Sequence, residues 1–362
     1  MKTLFALTLL SLTLLLPAAV FADIIIPDTT PPLPPKAEYS PGVAEDIESK
    51  GYHVAEIRND IYWITGGEYH VMAVKTRKGV MIVDAPESLP FFPPMDVLGA
   101  VAEIAPGYPI THMIYSHGHT DHIGGAGLIK AAFPNVKIIA HKKTKKLLAK
   151  MNDPKRPVPT KTFEKNLTVS SGGKKLKLHY RGNTHMPGNI FVHAPREKIL
   201  MVVDVTFPGW VPFRRLALSD NISGWIKGNK DVLDFKFDTL IAGHVTKLGT
   251  RADVKLQLEY VQDIINSFDS TMGDPNTLFT AIGAYDSVHG PGSAFTTSAK
   301  WALFSAFFDS STKVCSDLLD AKYTEGASPG DNPKALAGAE AFNFSNCEAY
   351  FVARRLGVVK AN

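Results

Sequence analysis

Ser116-His117-Gly118-His119-Thr120-Asp121-His122-Ile123-Gly124-Gly125 is the stretch on which the reading of this chain turns. Within it His117, His119, Asp121 and His122 bring four metal-capable side chains into six residues. The run ITHMIYS at 110–116 precedes it and reads as a short apolar strand. A strand end gives the backbone a fixed exit, and Gly118, Gly124 and Gly125 permit the tight path that turns imidazoles and a carboxylate inward. One histidine alone is more often a satisfied surface or core residue. Four side chains at H-x-H-x-D-H spacing point to metal binding.

Three later residues have matching chemistry and similar settings. His185 lies in the polar turn 182–188, Asp204 ends the apolar run Ile199–Val203, and His244 follows Leu240-Ile241-Ala242-Gly243. Ligands gather at strand ends in α/β proteins, so all three can converge on the first cluster. Each alone is as readily an ordinary turn residue.

These motifs, taken in order, resemble the metallo-β-lactamase superfamily over roughly residues 55–250. The resemblance implies an α/β chain folded as an αββα sandwich of two similar halves, here with a helical C-terminal extension. It also implies His117, His119 and His185 on a first zinc, Asp121, His122 and His244 on a second, and Asp204 bridging the pair. Imidazole and carboxylate suit Zn²⁺, with Mn²⁺ or Fe as alternatives for the oxygen-rich half. Two zinc ions per chain would share and deprotonate a water, and that bridging hydroxide is the expected nucleophile. Asp121 and Asp204 are the expected catalytic carboxylates, Asp121 orienting the nucleophile or passing a proton. Asp84 is a candidate outer acceptor for the second nitrogen of His244, or a plain turn carboxylate.

The superfamily covers several bond types, and the bridging Asp204 favours the lactonase, glyoxalase and organophosphate-hydrolase branches over true β-lactamases. Quorum-quenching lactonases commonly carry a Tyr three residues after the bridging Asp, where this chain has Phe207. Phe207, Trp210, Phe213 and Trp225, with Trp63 and Tyr69, suggest a hydrophobic mouth or, alternatively, aromatic packing of a loop onto the C-terminal helices. The expectation is a hydrolase for a lactone, carboxylic ester or similar small apolar ester. Phosphotriester or phosphodiester hydrolysis, β-lactam hydrolysis and a non-catalytic metal-binding role are the alternatives.

The whole chain agrees with a globular enzyme. Its 362 residues are 45% hydrophobic and 20% charged, which excludes a disordered chain, and the 28 Gly and 25 Pro show no collagen period. A net charge of +4 gives no argument for a nucleic-acid partner. The expected partner is a small molecule, and a homodimer is suggested only by its frequency among relatives. Lys2, the apolar run from Leu4 to Leu16 and the small-residue pattern at 20–22 read as a signal peptide cleaved near Ala22. The run is too short to span a bilayer, so no stable membrane anchor is expected, and the mature protein is placed in the periplasm or secreted. In such an oxidising compartment Cys315 and Cys347 can pair, with two buried free thiols as the alternative.

The expected organisation is a signal peptide at 1–22, an irregular Pro-rich arm at 23–50, the metal-binding domain at 51–268 and a helical cover at 269–362. Strands are expected at 61–65, 69–75, 79–83, 110–116, 136–140, 167–169, 176–180, 190–193, 199–203 and 237–242. Helices are expected at 124–133, 141–150, 253–268 and 298–308. The lysines of 141–150 read as a solvated face. The segment 207–226 reads as a long loop, and 283–292 as a Gly-rich one.

Overall fold

The computed structural model describes residues 41–87, 95–296, 299–324 and 331–359, all of which lie in one compact unit. The expected signal peptide and the first part of the Pro-rich arm, residues 1–40, lie outside the described residues. Two sheets face each other. The first contains β1 (His53–Arg58), β2 (Ile61–Thr65), β3 (His70–Thr76), β4 (Gly79–Val83), β5 (Ile110–Ile114), β6 (Lys137–His141) and β7 (Lys161–Phe163), in that spatial order. β1 to β4 are antiparallel, as the short turns between them require, and β4 to β7 are parallel, joined by helical crossovers. The second contains β8 (Asn166–Ser171), β9 (Lys174–His179), β10 (Phe191–Ala194), β11 (Ile199–Val202) and β12 (Thr239–Ile241), ordered β12-β11-β10-β9-β8.

The two-residue period of a strand explains the layering. In β3, Met72 and Val74 point between the sheets, meeting Met81, Ile114, Leu176, Leu178, Val192 and Met201. Val71 and Ala73 point outward against Val97, Val101 and Ile104 of α2 (Val97–Ile104). On the second sheet Phe191, Leu200 and Val202 point outward against Val232 of α7 (Ile222–Val232) and Val254 of α8 (Arg251–Thr271). Both central strands, β4 and β10, are buried along their whole length. The result is helices, sheet, sheet, helices, the expected αββα sandwich. Truncating a residue such as Met72 to Ala would cost roughly 2–5 kcal/mol through the cavity it leaves.

Several segments depart from the sequence reading. Residues 41–50 of the expected irregular arm form α1 (Pro41–Lys50), because Pro is well suited to a first helical position. The strands β1 and β7 were not expected, since one is a half-exposed edge and the other has three residues. Within the expected loop 207–226, Ile222–Ile226 open α7, capped by the Asn221 side chain on Gly224 N–H. Most of the expected Gly-rich loop belongs to α9 (Pro275–His289), which Asp274 caps and Gly290, at φ 101°, terminates.

The remaining helices are α3 (Thr120–Ile123), α4 (Ala126–Ala132), α5 (Lys142–Met151), a short α6 (Arg214–Leu218), α10 (Lys300–Tyr323) and α11 (Ala339–Arg355). The C-terminal helices share one core with the loop after Asp204. Tyr260 and Ile264 of α8, Leu319 and Tyr323 of α10, and Tyr350 and Phe351 of α11 pack with Phe207, Val211, Leu216 and Trp225. Cys315 and Cys347 form a disulfide between α10 and α11. Among the described residues no helix is long and apolar enough to cross a membrane.

Candidate metal centre

All seven expected metal-binding side chains lie along one edge of the sandwich, at strand ends from both sheets. His117 follows β5, and His119 is the residue before α3, whose single turn carries Asp121 and His122. Arg156, buried at 7% exposure, braces this loop by donating to the Gly118 carbonyl at 2.8 Å while Asp153 holds its Nε. Asp204 follows β11 in a left-handed conformation, φ 62°, and the buried Trp225 indole donates to its carbonyl at 2.9 Å. His244 follows β12 through Gly243, whose φ of 90° and contact with Val203 leave no room for a side chain. The His70 N–H bonds to Gly243 O, tying the two sheets together at this edge.

The ligand atoms fall into two groups, His117, His119, His185 and Asp204 in one and Asp121, His122 and His244 in the other, each within 4.8 Å. Asp204 faces both groups. Its Oδ2 is 3.2 Å from His117 Nε2 and 3.1 Å from His185 Nε2, while its Oδ1 is 3.2 Å from His122 Nε2 and 3.0 Å from His244 Nε2. His119 Nδ1 lies 3.1 Å from His185 Nε2, and Asp121 Oδ2 lies 3.4 Å from His122 Nε2 and 3.6 Å from His244 Nε2.

These separations can be tested against a metal. Tetrahedral zinc with ligands at roughly 2.0–2.1 Å spaces them about 3.3–3.4 Å apart, close to what the donors show. His117 Nε2 and Asp204 Oδ1 are buried without a hydrogen-bond partner, a costly state that a cation would relieve. His122 Nε2 and His244 Nε2 face each other at 3.0 Å, both aimed into the same gap. The residues therefore fit a pair of cations. The first set is nitrogen-rich, and Asp121 with Asp204 makes the second the harder, more oxygen-rich one.

Electrostatics points the same way. Burial would raise the Asp204 carboxyl, but the charges of His122, His185 and His244 outweigh it and hold Asp204 well below the carboxylate range. Burial likewise disfavours a charged His122, yet Asp204 and Asp121 lift it to about 10. A positive charge is thus stabilised between these carboxylates. Burial holds His117 well below the usual imidazole value, and burial with the neighbouring His185 takes His119 down to about 4.

Several groups behind the ligands fix ring orientation. His244 Nδ1 donates to Glu68 O at 3.0 Å, which leaves Nε2 as its lone-pair nitrogen. The Ser116 hydroxyl is 2.9 Å from His117 Nδ1, and that of Ser219 is 3.3 Å from His185 Nδ1. Asp84, a candidate acceptor for His244 or else a turn carboxylate, does not take the acceptor role. It is fully buried at φ 68°, accepts from Ser116 N–H at 2.7 Å, and burial raises its carboxyl to about 7.

The expected aromatic mouth divides. Phe207 stacks over His244 with ring centroids 6.1 Å apart, and Tyr69 lies 5.0 Å from the same ring, its phenol pushed up to about 12 by burial and Asp121. Trp225 and Trp63 are core residues rather than lining ones. Trp210 packs against Gly338, and Phe213 against Phe342, both in the C-terminal segment.

Residues 215–218 were missed altogether by sequence reading. Arg215, Leu216, Ala217 and Leu218 have φ values of 56°, 53°, 62° and 52°, so α6 is a left-handed turn without a single glycine. Such a turn costs roughly 1–2 kcal/mol per residue and must be held from outside. Asn346 of α11 holds it, accepting from Leu216 N–H at 2.8 Å and donating to Pro212 O at 2.9 Å. Ser219 and Asp220 follow directly, and the Asp220 N–H donates to His185 O. No local signal in an Arg-Leu-Ala-Leu run marks a left-handed turn.

Comparison with known proteins agrees with this geometry. The chain is 28% identical over 200 residues to 2,4-dinitroanisole O-demethylase subunit alpha of Nocardioides sp. (strain JS1661), covering 54% of this chain and 58% of that one. It is 29% identical over 179 residues to metallo-beta-lactamase type 2 of Bacteroides fragilis, covering 46% of this chain and 64% of that one. The chain thus spans about three fifths of the length of these relatives. The metallo-beta-lactamase of Pontibacter korlensis superposes with a TM-score of 0.50 at 20% identity, over 58% of this chain and 99% of that one, which is a likeness of fold. The sequence pattern of the metallo-beta-lactamase superfamily matches residues 64–244, half of the chain, starting within β2 and ending on His244. With that span enclosing all seven convergent ligands and the sandwich that positions them, the chain belongs to the metallo-β-lactamase superfamily.

Proposed function

We propose that the protein is a dinuclear metal-dependent hydrolase acting on a small apolar ester or lactone. The observation that carries this reading is Asp204, whose two oxygens face separate sets of donors at 3.0–3.2 Å. His117, His119 and His185 would hold one metal, Asp121, His122 and His244 the other, and Asp204 both. When bound, such a pair supplies Lewis-acid polarisation and an activated water near neutral pH. Ser116, Ser219 and the Glu68 carbonyl keep the imidazole lone pairs aimed inward, which removes reorganisation from the reaction. Asp121, 35% exposed where Asp204 is nearly buried, is the carboxylate placed to exchange a proton with an arriving substrate. Phe207 and Tyr69 beside His244 favour an apolar acyl or aryl group there.

A second reading draws on the demethylase relative, whose name assigns it an aryl methyl ether. Export to an oxidising compartment is also our proposal, supported by the Cys315–Cys347 disulfide. The test is metal analysis of purified mature protein together with turnover of matched lactone, aryl-ester, phosphotriester, β-lactam and 2,4-dinitroanisole substrates, before and after chelation. Two metals per chain with chelator-sensitive cleavage of esters or lactones is the expected result. A preference for dinitroanisole or a β-lactam would replace the substrate class. Absence of turnover after reconstitution with Zn²⁺ or Mn²⁺ would refute the hydrolase.

A further inference from the structure

The hairpin of α9 and α10 is built unlike the rest of the fold. α9 has 15 residues and buries only Thr277 and Ala281, and α10 buries nothing from Trp301 to Ser310. Its bend instead exposes large apolar side chains, with Val288 at 75%, Phe295 at 71% and Trp301 at 84% of full exposure. Trp301 stacks on Phe304, and the guanidinium of Arg355 lies 5.3 Å from the Phe304 ring, so the end of α11 reaches the same place. That end adds Leu356 and Val358, 72% and 54% exposed. The bend, the start of α10 and the Arg355 end of α11 thus meet around Phe304 at one end of the helical cover. Isolated exposed apolar residues are ordinary, but a contiguous set of this kind marks a contact surface.

Charge selects among the things that could cover it. Residues 287–308 contain no carboxylate, while Arg355 lies over the Phe304 ring and Lys300 directly precedes Trp301 in the chain. Of the two acids that flank this stretch, Asp286 is occupied within the bend by Gly292 N–H, Ala294 N–H and the Ser293 hydroxyl, and Asp309 stands exposed on α10 just beyond Phe308. A second copy meeting this surface about a two-fold axis would set cations against cations. An anionic bilayer surface instead pairs Lys300 and Arg355 with headgroups and takes Trp and Phe at its interfacial depth. We propose that the bend of the α9–α10 hairpin, with the end of α11, is a reversible membrane-docking tip for bilayers bearing anionic lipid. The contact is peripheral, and it is independent of the metal centre.

The test is co-sedimentation of the full-length mature protein with vesicles of phosphatidylcholine alone and of phosphatidylcholine mixed with phosphatidylglycerol, alongside light-scattering mass measurement without lipid. The expected result is binding to the mixed vesicles with a blue shift of tryptophan emission, weakened by salt. In F295S/W301S binding falls at least about tenfold, as expected from losing two interfacial aromatics. In K300E/R355E the preference for anionic vesicles is lost. Unchanged thermal unfolding of both variants shows that the surface, not the fold, was altered. No vesicle binding, or binding indifferent to both variants, overturns the proposal. So does a concentration-dependent dimer that F295S/W301S abolishes, because a second copy is then the occupant.

Discussion

Replacing Asn346 by Ala tests whether the C-terminal helices position the metal centre or only cover it. Asn346 is fully buried and bonds three groups, Leu216 N–H at 2.8 Å, Pro212 O at 2.9 Å and the Tyr260 hydroxyl at 3.0 Å. Losing these bonds with their partners left buried costs roughly 3–4.5 kcal/mol, taking about 1–1.5 for each. The left-handed residues 215–218 store on the order of 4–8 kcal/mol of conformational strain. The two quantities are comparable, so removal of the anchor releases the turn instead of merely weakening a contact. Ser219 then leaves His185 Nδ1 and the Asp220 N–H leaves His185 O. Loss of such outer support costs about 10–100-fold in metal affinity. Chelator competition on purified N346A should show that weakening for one metal equivalent, with the other changed little. Adding A217G, which places glycine at a φ of 62°, should recover part of the lost stability, about 1–2 kcal/mol. If N346A unfolds at lower temperature yet binds both equivalents as the parent does, the positioning argument is wrong.

Asp204→Asn keeps the shape of the bridge and removes its charge, and should reduce metal content to one equivalent or less by elemental analysis. Trp225→Phe deletes the indole bond to the Asp204 carbonyl, and should lower stability by about 1–3 kcal/mol in denaturant unfolding while reducing turnover more than a surface Trp substitution does. His70 is buried neutral, with burial taking its pKa from 6.5 down to about 3. Between those values the unfolded chain binds the extra proton, so the His70 contribution to metal-free stability is complete above pH 6.5 and shrinks by about 1.4 kcal/mol per unit as pH falls. In H70Q the pH slope of denaturant unfolding between 6.5 and 4 should flatten by that amount. Reduction of Cys315–Cys347, or C315S/C347S, should cost about 2–4 kcal/mol by the same measurement.

Legibility from sequence followed the range of the interaction involved. The H-x-H-x-D-H run and the strands β2 to β6 could be read because local spacing and apolar runs specify them. His185, Asp204 and His244 could be nominated because each stands just beyond an apolar strand or in a polar turn near one, although their convergence depends on two sheets packing together. Of the two readings open for Asp84, acceptor for His244 or turn carboxylate, the first does not hold, since the acceptor is the Glu68 backbone carbonyl, which has no sequence signature. Trp225 looked like a pocket residue because aromatic composition does not distinguish a ring that lines a cleft from one that donates to a carbonyl inside the core. The left-handed turn at 215–218 was invisible for a related reason. Its conformation is imposed by Asn346, 130 residues further along the chain.

That separation has a consequence for the order of events during synthesis. A ribosome delivers His117 to His244 well before Asn346, so every ligand has emerged while the group that holds the strained turn is still to come. Until α11 arrives, the turn at 215–218, which leads into the Ser219 and Asp220 contacts with His185, has no reason to stay left-handed, and the cheaper right-handed conformation is open to it. A nascent chain stopped before residue 339 should therefore hold metal loosely and exchange it freely. The helix α11 then works as a latch in time, since its arrival converts seven loosely gathered side chains into one centre.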